Sequence, residues 1–431
     1  MDRSAATSPI VDHDLRYALA NELHARPFPS LEAPCHAVYL AIKRPTDAAR
    51  RDRSLDRAHL VALLDRFGAD PPRDDATHWF GQIGRYRLKW ENHTEFTTYT
   101  VFGDGVDDKP FDRAMFDVFP ADWLADAPGV RITSALVRVE PRPNPDAIRT
   151  KLDDWFVPES LAASEVLEGA AIVASDFRID PGGHMRLAVF VSDGTRRRRT
   201  GRIVQRLTEI ETYKSMSMLG LARVRDLSSE MSGLDRDLNR LMTEMSGRAA
   251  PEDTLKDLLT VSASLETVLT RSSFRFGATE AYEAIVAQRI AALRESRYDG
   301  RQTMAEFMMR RFDPAMRTVK ATRTRLREMS ERALRAGDLL RTRVDVERSA
   351  QNQAVLESMD RRADLQLRLQ RTVEGLSVVA ISYYAVSLAA YALAPVFAGA
   401  GIEKPVGTAL LVPVVVLLVW VLIRRATRRL H

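Results

Sequence analysis

The sequence predicts an α+β membrane protein: an N-terminal α/β cytoplasmic domain, a long helical stalk region and a C-terminal two-helix transmembrane hairpin. Three observations predict it. Short apolar or alternating runs bounded by turn residues fill roughly the first 195 residues. From Arg202 to Arg371 almost no strand pattern remains, and apolar residues recur three or four apart. Two charge-free runs then follow, Leu376 to Phe397 (22 residues) and Val406 to Ile423 (18 residues). A spanning helix needs about 20 apolar residues.

In the first domain, Leu15–His24 and Leu55–Phe67 have helical apolar spacing, and Ala37–Ile42 reads as a short buried strand. From Ile83 to Trp90 the residues alternate, with Arg85, Arg87 and Lys89 on one face and Tyr86, Leu88 and Trp90 on the other. A polar break at Asn92-His93 precedes a second β-rich run, Thr94–Phe102, so the pair reads as a hairpin. Ile132–Val139 is a further strand. Ala170–Ala174 and Met185–Val191 flank the turn signal Asp180-Pro181-Gly182-Gly183. The pattern changes between Thr195 and Gly201. Leu207, Ile210, Leu221, Val224, Met231, Leu238, Leu241 and Met245 then form a helical stripe. Pro251 opens another helix, Ala278–Arg297 is a further one, and Asp313-Pro314 reads as a cap followed by a first-turn proline. No proline occurs between Pro314 and Pro395, which predicts one helix running through a stalk into the first span. From Pro314 to Gly375 that helix would be about 90 Å long at 1.5 Å per residue. It needs helical neighbours, because helices draw most of their stability from packing.

The expected division is therefore 1–195 (α/β), 196–313 (helical), 314–375 (stalk), 376–398 and 406–423 (spans), 399–405 (external loop) and 424–431 (basic cytoplasmic tail). Orientation follows from the arginines. Arg361, Arg362, Arg368 and Arg371 precede the hairpin and Arg424, Arg425, Arg428 and Arg429 follow it, while the loop holds only Lys404. Both ends are expected in the cytoplasm, with Trp420 at the inner interface.

Composition hides this segregation. The chain has 431 residues, 63 Lys and Arg against 58 Asp and Glu, and a formal charge of +5. Its mean hydropathy is −0.22. These averages exclude collagen, a disulfide scaffold, a mostly disordered chain and a polytopic transporter. One cysteine, Cys35, excludes an intrachain disulfide and predicts a reducing compartment. Met1 to Ile10 lacks an apolar core, so no secretory signal is expected. A charge this small implies no nucleic-acid binding.

Three constellations could carry chemistry. Gln370, Ser377, Tyr384 and Tyr391 lie seven residues apart, with Ala380, Ser387 and Ala394 in the adjacent row. This polar or small seam within an apolar length is expected to meet protein, as a close helix contact or as the lining of a pore in a symmetric oligomer. Glu374 stands one turn from Gln370, placed for an acidic ring at the cytoplasmic mouth or for an interfacial pair with Arg371. In Trp90-Glu91-Asn92-His93-Thr94-Glu95, an extended chain would put Glu91, His93 and Glu95 on one face, where they could hold a divalent cation. If Asn92-His93 is a turn, that alignment is lost and the residues serve structural hydrogen bonding. His24, His36 and His78 are further candidate ligands. The run Arg196–Arg199 reads as a solvated linker at the domain junction, with nucleic acid or anionic headgroups as the other reading. There is no HExxH, CxxC or Walker loop, and Ser192-Asp193-Gly194 lacks the framing of a nucleophile elbow. No enzyme activity and no cofactor beyond a divalent cation are expected.

Several segments in order carry a resemblance: Asn21–Pro27, Lys89–Phe96 (KWENHTEF), Val204–Tyr213 (VQRLTEIETY), Gln351–Gln353 and Thr372–Tyr384. Together they resemble the uncharacterised membrane-anchored bacterial proteins of domain-of-unknown-function family 3422, which implies a bacterial inner-membrane protein and supplies no catalytic residues. In architecture the chain also resembles the CorA-type divalent-cation transporters, homo-pentamers whose first span lines the pore. It departs from them in lacking the Gly-Met-Asn signature, where it reads Tyr391-Ala392-Leu393-Ala394-Pro395, and in its short outer loop. Two readings follow. The first is a homo-oligomeric, CorA-like transport protein regulated by its cytoplasmic domain. The alternative is a non-transporting membrane-anchored scaffold or sensor whose helices bind a cytoplasmic protein partner. Membrane lipid is a partner in both.

Overall fold

The computed structural model describes residues 10, 12–22, 28–245, 250–400 and 403–427. His24, the rest of the 23–27 segment, Arg428 and Arg429 lie outside the described residues. The chain divides into two compact units, residues 1–243 with 257–335 and residues 244–256 with 336–431. It is a mixed α+β protein with an N-terminal sheet domain and long C-terminal helices.

In the first unit a short helix, α1 (Arg16–Glu22), precedes β1 (Cys35–Lys43), α2 (Arg53–Arg66), β2 (His78–Ile83), β3 (Tyr86–Asn92) and β4 (Phe96–Asp104). Next come α3 (Ala121–Ala125), β5 (Val130–Pro141), α4 (Pro145–Trp155), β6 (Ala162–Val166), β7 (Ala171–Ser175) and β8 (Met185–Val191). With β9 (Ser296–Arg297) the strands form one nine-stranded sheet in the order β2-β3-β4-β1-β5-β8-β7-β6-β9. Every pairing is antiparallel except β5 with β8. The long connection through α4, β6 and β7 makes that parallel pair possible, because parallel neighbours need a crossover. The alternation expected from Ile83 to Trp90 crosses a turn: Gly84 takes φ +56° and separates β2 from β3.

Strand periodicity gives the sheet two faces. Val38, Leu40 and Ile42, with Leu88, Trp90, Tyr99 and Val101, point into an apolar core shared with Leu60, Leu63 and Leu64 of α2, Trp123 of α3, and Ile148 and Leu152 of α4. Trp90 and Leu88 are fully buried there, on the face opposite Lys89, as the alternation requires. At roughly 1.5–3 kcal/mol per fully buried large apolar side chain, this core is the main source of the domain's stability.

The helical region is built from α5 (Arg197–Glu244, 48 residues) and α6 (Pro251–Leu293, 43 residues), with α7 (Met304–Arg311) leading to α8 (Asp313–Gly399, 87 residues). The run Arg196–Arg199 thus opens α5 and is not a linker. The helix expected over Ala278–Arg297 is the last part of α6, which ends at Leu293 so that Ser296-Arg297 can pair with β6. Gly201 lets α5 meet the chain at Pro29: a Cβ at residue 201 would stand 1.7 Å from the Pro29 carbonyl oxygen. Within this unit, ion pairs Arg271–Glu230 and Arg323–Glu280 and the bonds of Arg325 and Arg332 to Asp235 tie the three long helices together.

In the second unit, α8 continues without interruption to Gly399, past Pro395, and α9 (Lys404–Thr427) returns along it. Two helices are long and apolar enough to cross a membrane, α8 through its C-terminal part and α9.

Arg325, and then Arg332, hold the Asp235 carboxyl below its ordinary value. A depressed folded-state value contributes stability above the unfolded value, and that contribution is lost as pH falls through the folded one. Asp235→Asn is therefore expected to lower the melting temperature at pH 7. In thermal scans at stepwise lower pH, the gap to wild type is expected to close below the usual carboxylate range. A gap independent of pH would show that the two ion pairs do not contribute.

Candidate functional site

The second face of the sheet is apolar on β5, β7 and β8, where Val137, Val139, Val173, Leu187 and Val189 are buried, and carries a polar patch on β1, β3 and β4. Tyr39 of β1, Lys89 and Glu91 of β3, and Thr98 and Thr100 of β4 point towards α5, which answers with Gln205, Thr208, Glu209 and Thr212. Buried polar groups are costly unless paired, and here they are paired in series. Lys89 Nζ donates to Gln205 Oε1 at 2.9 Å and stands 3.2 Å from Glu91. Gln205 Nε2 donates to Glu209 Oε1 at 2.7 Å, and Glu209 takes Arg289 of α6 on its other oxygen. Tyr39 bonds Thr212, and burial pushes its hydroxyl well above the usual range. The cavity among these groups is about 30 Å³, room for one or two waters. The segments Lys89–Phe96 and Val204–Tyr213, far apart in the chain, supply most of its lining.

A buried arginine shapes the turn between β3 and β4. Arg51 is paired to Asp56 at 2.7 Å and donates to Asn92 Oδ1 and to the carbonyls of His93, Thr94 and Phe96. With the turn clamped from inside, His93 stacks on Phe96 (ring centroids 4.4 Å apart), and Phe96 and Tyr213 stand near Tyr282 of α6.

This arrangement separates the three residues expected to share one face. β3 ends at Asn92 and the chain turns over His93–Glu95, with the His93 amide donating to the Phe96 carbonyl. Glu91 pairs with Lys89. Glu95, 1% exposed, is taken by Arg275 and by the Tyr282 hydroxyl at 2.9 Å. His36 bonds the Gly105 carbonyl, and His78 lies opposite Glu91 in the β2–β3 register. Among the described residues no group of three His, Cys, Asp or Glu is placed to hold a metal ion.

The seam lies elsewhere, in the second unit. α8 packs on α9 through Val378, Ser382 and Val386 against Val412 and Val416. Gly407 permits the closest approach, since a Cβ there would stand 3.0 Å from the Phe397 ring. Gln370, Tyr384 and Tyr391 lie on other faces of α8, with Tyr384 68% and Tyr391 79% exposed, and Ser377 is half-buried. Gln370 Nε2 donates to Glu374 at 3.1 Å, and Ser387 Oγ donates back to the Tyr383 carbonyl at 2.9 Å. From residue 345 to 373 every side chain of α8 is exposed.

Sequence reasoning did not find Arg51, Gln205, Glu209, Arg275, Tyr282 or Arg289. One signal was present: Thr208, Glu211 and Thr212 interrupt the apolar stripe of α5 at positions that face inward, and all three are buried.

Removing Lys89 leaves Glu91 in a nearly closed site without its cation, and breaking one side of a buried pair costs about 3–5 kcal/mol. Lys89→Met is expected to lower stability by an amount near the low end of that range, because the site is not fully dry. Lys89→Met with Glu91→Leu is expected to recover most of the loss, measured by denaturation of the detergent-solubilised chain. Additive losses would show that the pair is not coupled.

The comparisons bear on the whole chain. No curated protein matches it. A family model described as "Protein of unknown function (DUF3422)" matches residues 11–430. The chain therefore belongs to the DUF3422 family.

Proposed function

We propose that this protein is a membrane-anchored, self-associating sensor or scaffold. In this reading α9 and the end of α8 form a hairpin in the bacterial inner membrane, both ends lie in the cytoplasm, and the long α8 pairs with its counterpart in a second copy. The observation that carries the reading is the unpartnered length of α8. A single exposed helix of this length is poorly stable in water, and its side chains repeat by heptad. One row is Leu339, Val346, Gln353, Asp360, Leu367, Glu374, Ile381 and Leu388. The next is Thr342, Ser349, Leu356, Ala363, Gln370, Ser377, Tyr384 and Tyr391. Leu339, Val346, Leu356 and Leu367 are each at least half exposed, at 65%, 64%, 66% and 50%. Polar residues within such rows fix register in parallel helix pairs, and two copies anchored in one membrane are held parallel.

The membrane assignment is supported by the hydropathy of the two helices, 1.7 and 2.8 over their most apolar windows. The arginines at both ends of the hairpin support the orientation, and Arg424 stacks over the Trp420 ring at 4.8 Å, an arrangement suited to the interface. Ion transport along Ser377, Tyr384 and Tyr391, with Glu374 at the mouth, is the second reading, favoured by the polar character of that row. The row beside it, Leu367, Glu374, Ile381 and Leu388, is apolar at three of these four positions, which favours a packed contact over a water-filled path, so tethering is the leading reading.

Disulfide cross-linking tests the pairing in a Cys35→Ser background. Ala363→Cys and Gln370→Cys, in one row, are expected to give covalent dimers in membranes, whereas Arg361→Cys and Arg368→Cys, on another face, are not. Equal yields at all four positions, or none, would contradict the pairing. Cation flux into vesicles above the empty-vesicle rate, abolished by Tyr384→Leu, would decide for transport.

A further inference from the structure

The first unit carries a second, larger opening that the polar network does not use. It lies where the start of α5, the end of α6, the β6–β7 loop and the segment after β8 meet, with a volume of about 1010 Å³. Six arginines line it, Arg196, Arg198, Arg199, Arg202, Arg206 and Arg294, against two carboxylates, Glu168 and Asp193. We propose that this cleft is a binding site for a phosphate-bearing polyanion.

The charge arrangement is the main argument. The first turn of α5 holds no acidic residue. It carries arginines, although the N-terminal end of a helix is electrostatically positive and favours anions. Glu168 compensates only Arg199 and Arg294. Among the described residues, the guanidinium groups of Arg196, Arg198 and Arg202 make no ion pair or hydrogen bond. Arg206 is half-buried and spends one donor on the Ala292 carbonyl at 2.8 Å. Burial, and then the neighbouring Arg202, Arg289 and Arg294, lower its pKa. A concentration of like charge at the wrong end of a helix, only partly compensated by Glu168 and Glu32, breaks a local rule, as functional sites often do.

The walls are also built to stay open. Ser192 Oγ donates to the Gly169 carbonyl at 2.7 Å and Thr195 Oγ1 to the Ala170 carbonyl at 2.9 Å, clasping the two loops together. Leu167, Glu168 and Gly169 are all left-handed, with φ of 51°, 53° and 81°, the kind of strain that accumulates at ligand clamps. Arginine suits the proposed ligand because its planar fork meets phosphate oxygens two at a time. No aromatic ring lines the cleft, so bases would have nothing to stack on, which disfavours single-stranded nucleic acid. The volume exceeds what one phosphate fills and suits a small molecule with two or more.

The test is calorimetric titration of the full chain in neutral detergent at fixed ionic strength, with inorganic pyrophosphate in one arm and dihexanoyl phosphatidylglycerol in the other. Pyrophosphate is expected to bind, and Arg198→Gln with Arg202→Gln to weaken it at least tenfold. Both residues are exposed and unpaired, so the unliganded melting temperature is expected to stay unchanged. Arg225→Gln, further along α5, is the control and is expected to bind as wild type does. Binding of the lipid alone, lost in the same double variant, would assign the phosphate to a headgroup. Binding of neither, or binding that the double variant leaves intact, overturns the proposal.

Discussion

The sheet is buried on both faces, and its second face sets a polar patch on β1, β3 and β4 beside buried apolar side chains of β5, β7 and β8; much of the first unit follows from the need to pair that patch. The first face is covered by α2, α3 and α4, which supply mainly apolar side chains, with His59 pairing Tyr99 and Lys151 pairing Glu140. The polar patch presents Tyr39, Lys89, Glu91, Thr98 and Thr100, and each of these needs a partner once water is excluded. α5 supplies them from Gln205, Thr208, Glu209 and Thr212. Glu209 and Glu95 in turn draw Arg289 and Arg275 of α6 into place. The packing of the long helices on the sheet is thus set by charge and hydrogen-bond pairing as well as by apolar area.

Arg51 shows how closely this pairing determines local geometry. Its buried guanidinium is shared among one carboxylate, one amide and several carbonyls, so the β3–β4 turn has few alternatives. The turn decides that Glu91 faces Lys89 while Glu95 faces Arg275 and Tyr282. A cluster that looks metal-binding as a string becomes, in three dimensions, two ion pairs and a stacked histidine. The water-sized cavity that remains beside it is bounded by the chain Gln205–Glu209–Arg289.

Much of the fold was legible because it rests on periodicity. Ala37–Ile42 declares itself by a short apolar run, Met185–Val191 by the turn signal before it and the stripe of α5 by 3–4 spacing, and the absence of proline after Pro314 announces α8. What was not legible depends on contacts distant in sequence. β9 is two residues long and exists only because β6 offers an edge. The division of Ile83–Trp90 turns on one glycine in a left-handed conformation. The partners of Glu95 lie some 180 residues away, and no spacing rule reaches that far. The four arginines at 196–199 look like a linker in sequence because their companions, Arg206 and Arg294, are brought alongside only by the fold.

In the second unit the proposed pairing extends the same logic to a partner outside the chain. α8 and α9 cover one another along Val378, Ser382, Val386, Val412 and Val416, which leaves the heptad rows of α8 uncovered from Leu339 to Tyr391. In the proposed reading, a second copy held parallel by its own hairpin would cover them without new chemistry. The most direct test is the mass of the detergent-solubilised full chain, by light scattering corrected for bound detergent. The account requires a whole-number multiple, two or more, of the 48.4 kDa chain. A stable monomer at micromolar concentration in mild detergent and in lipid nanodiscs would contradict it.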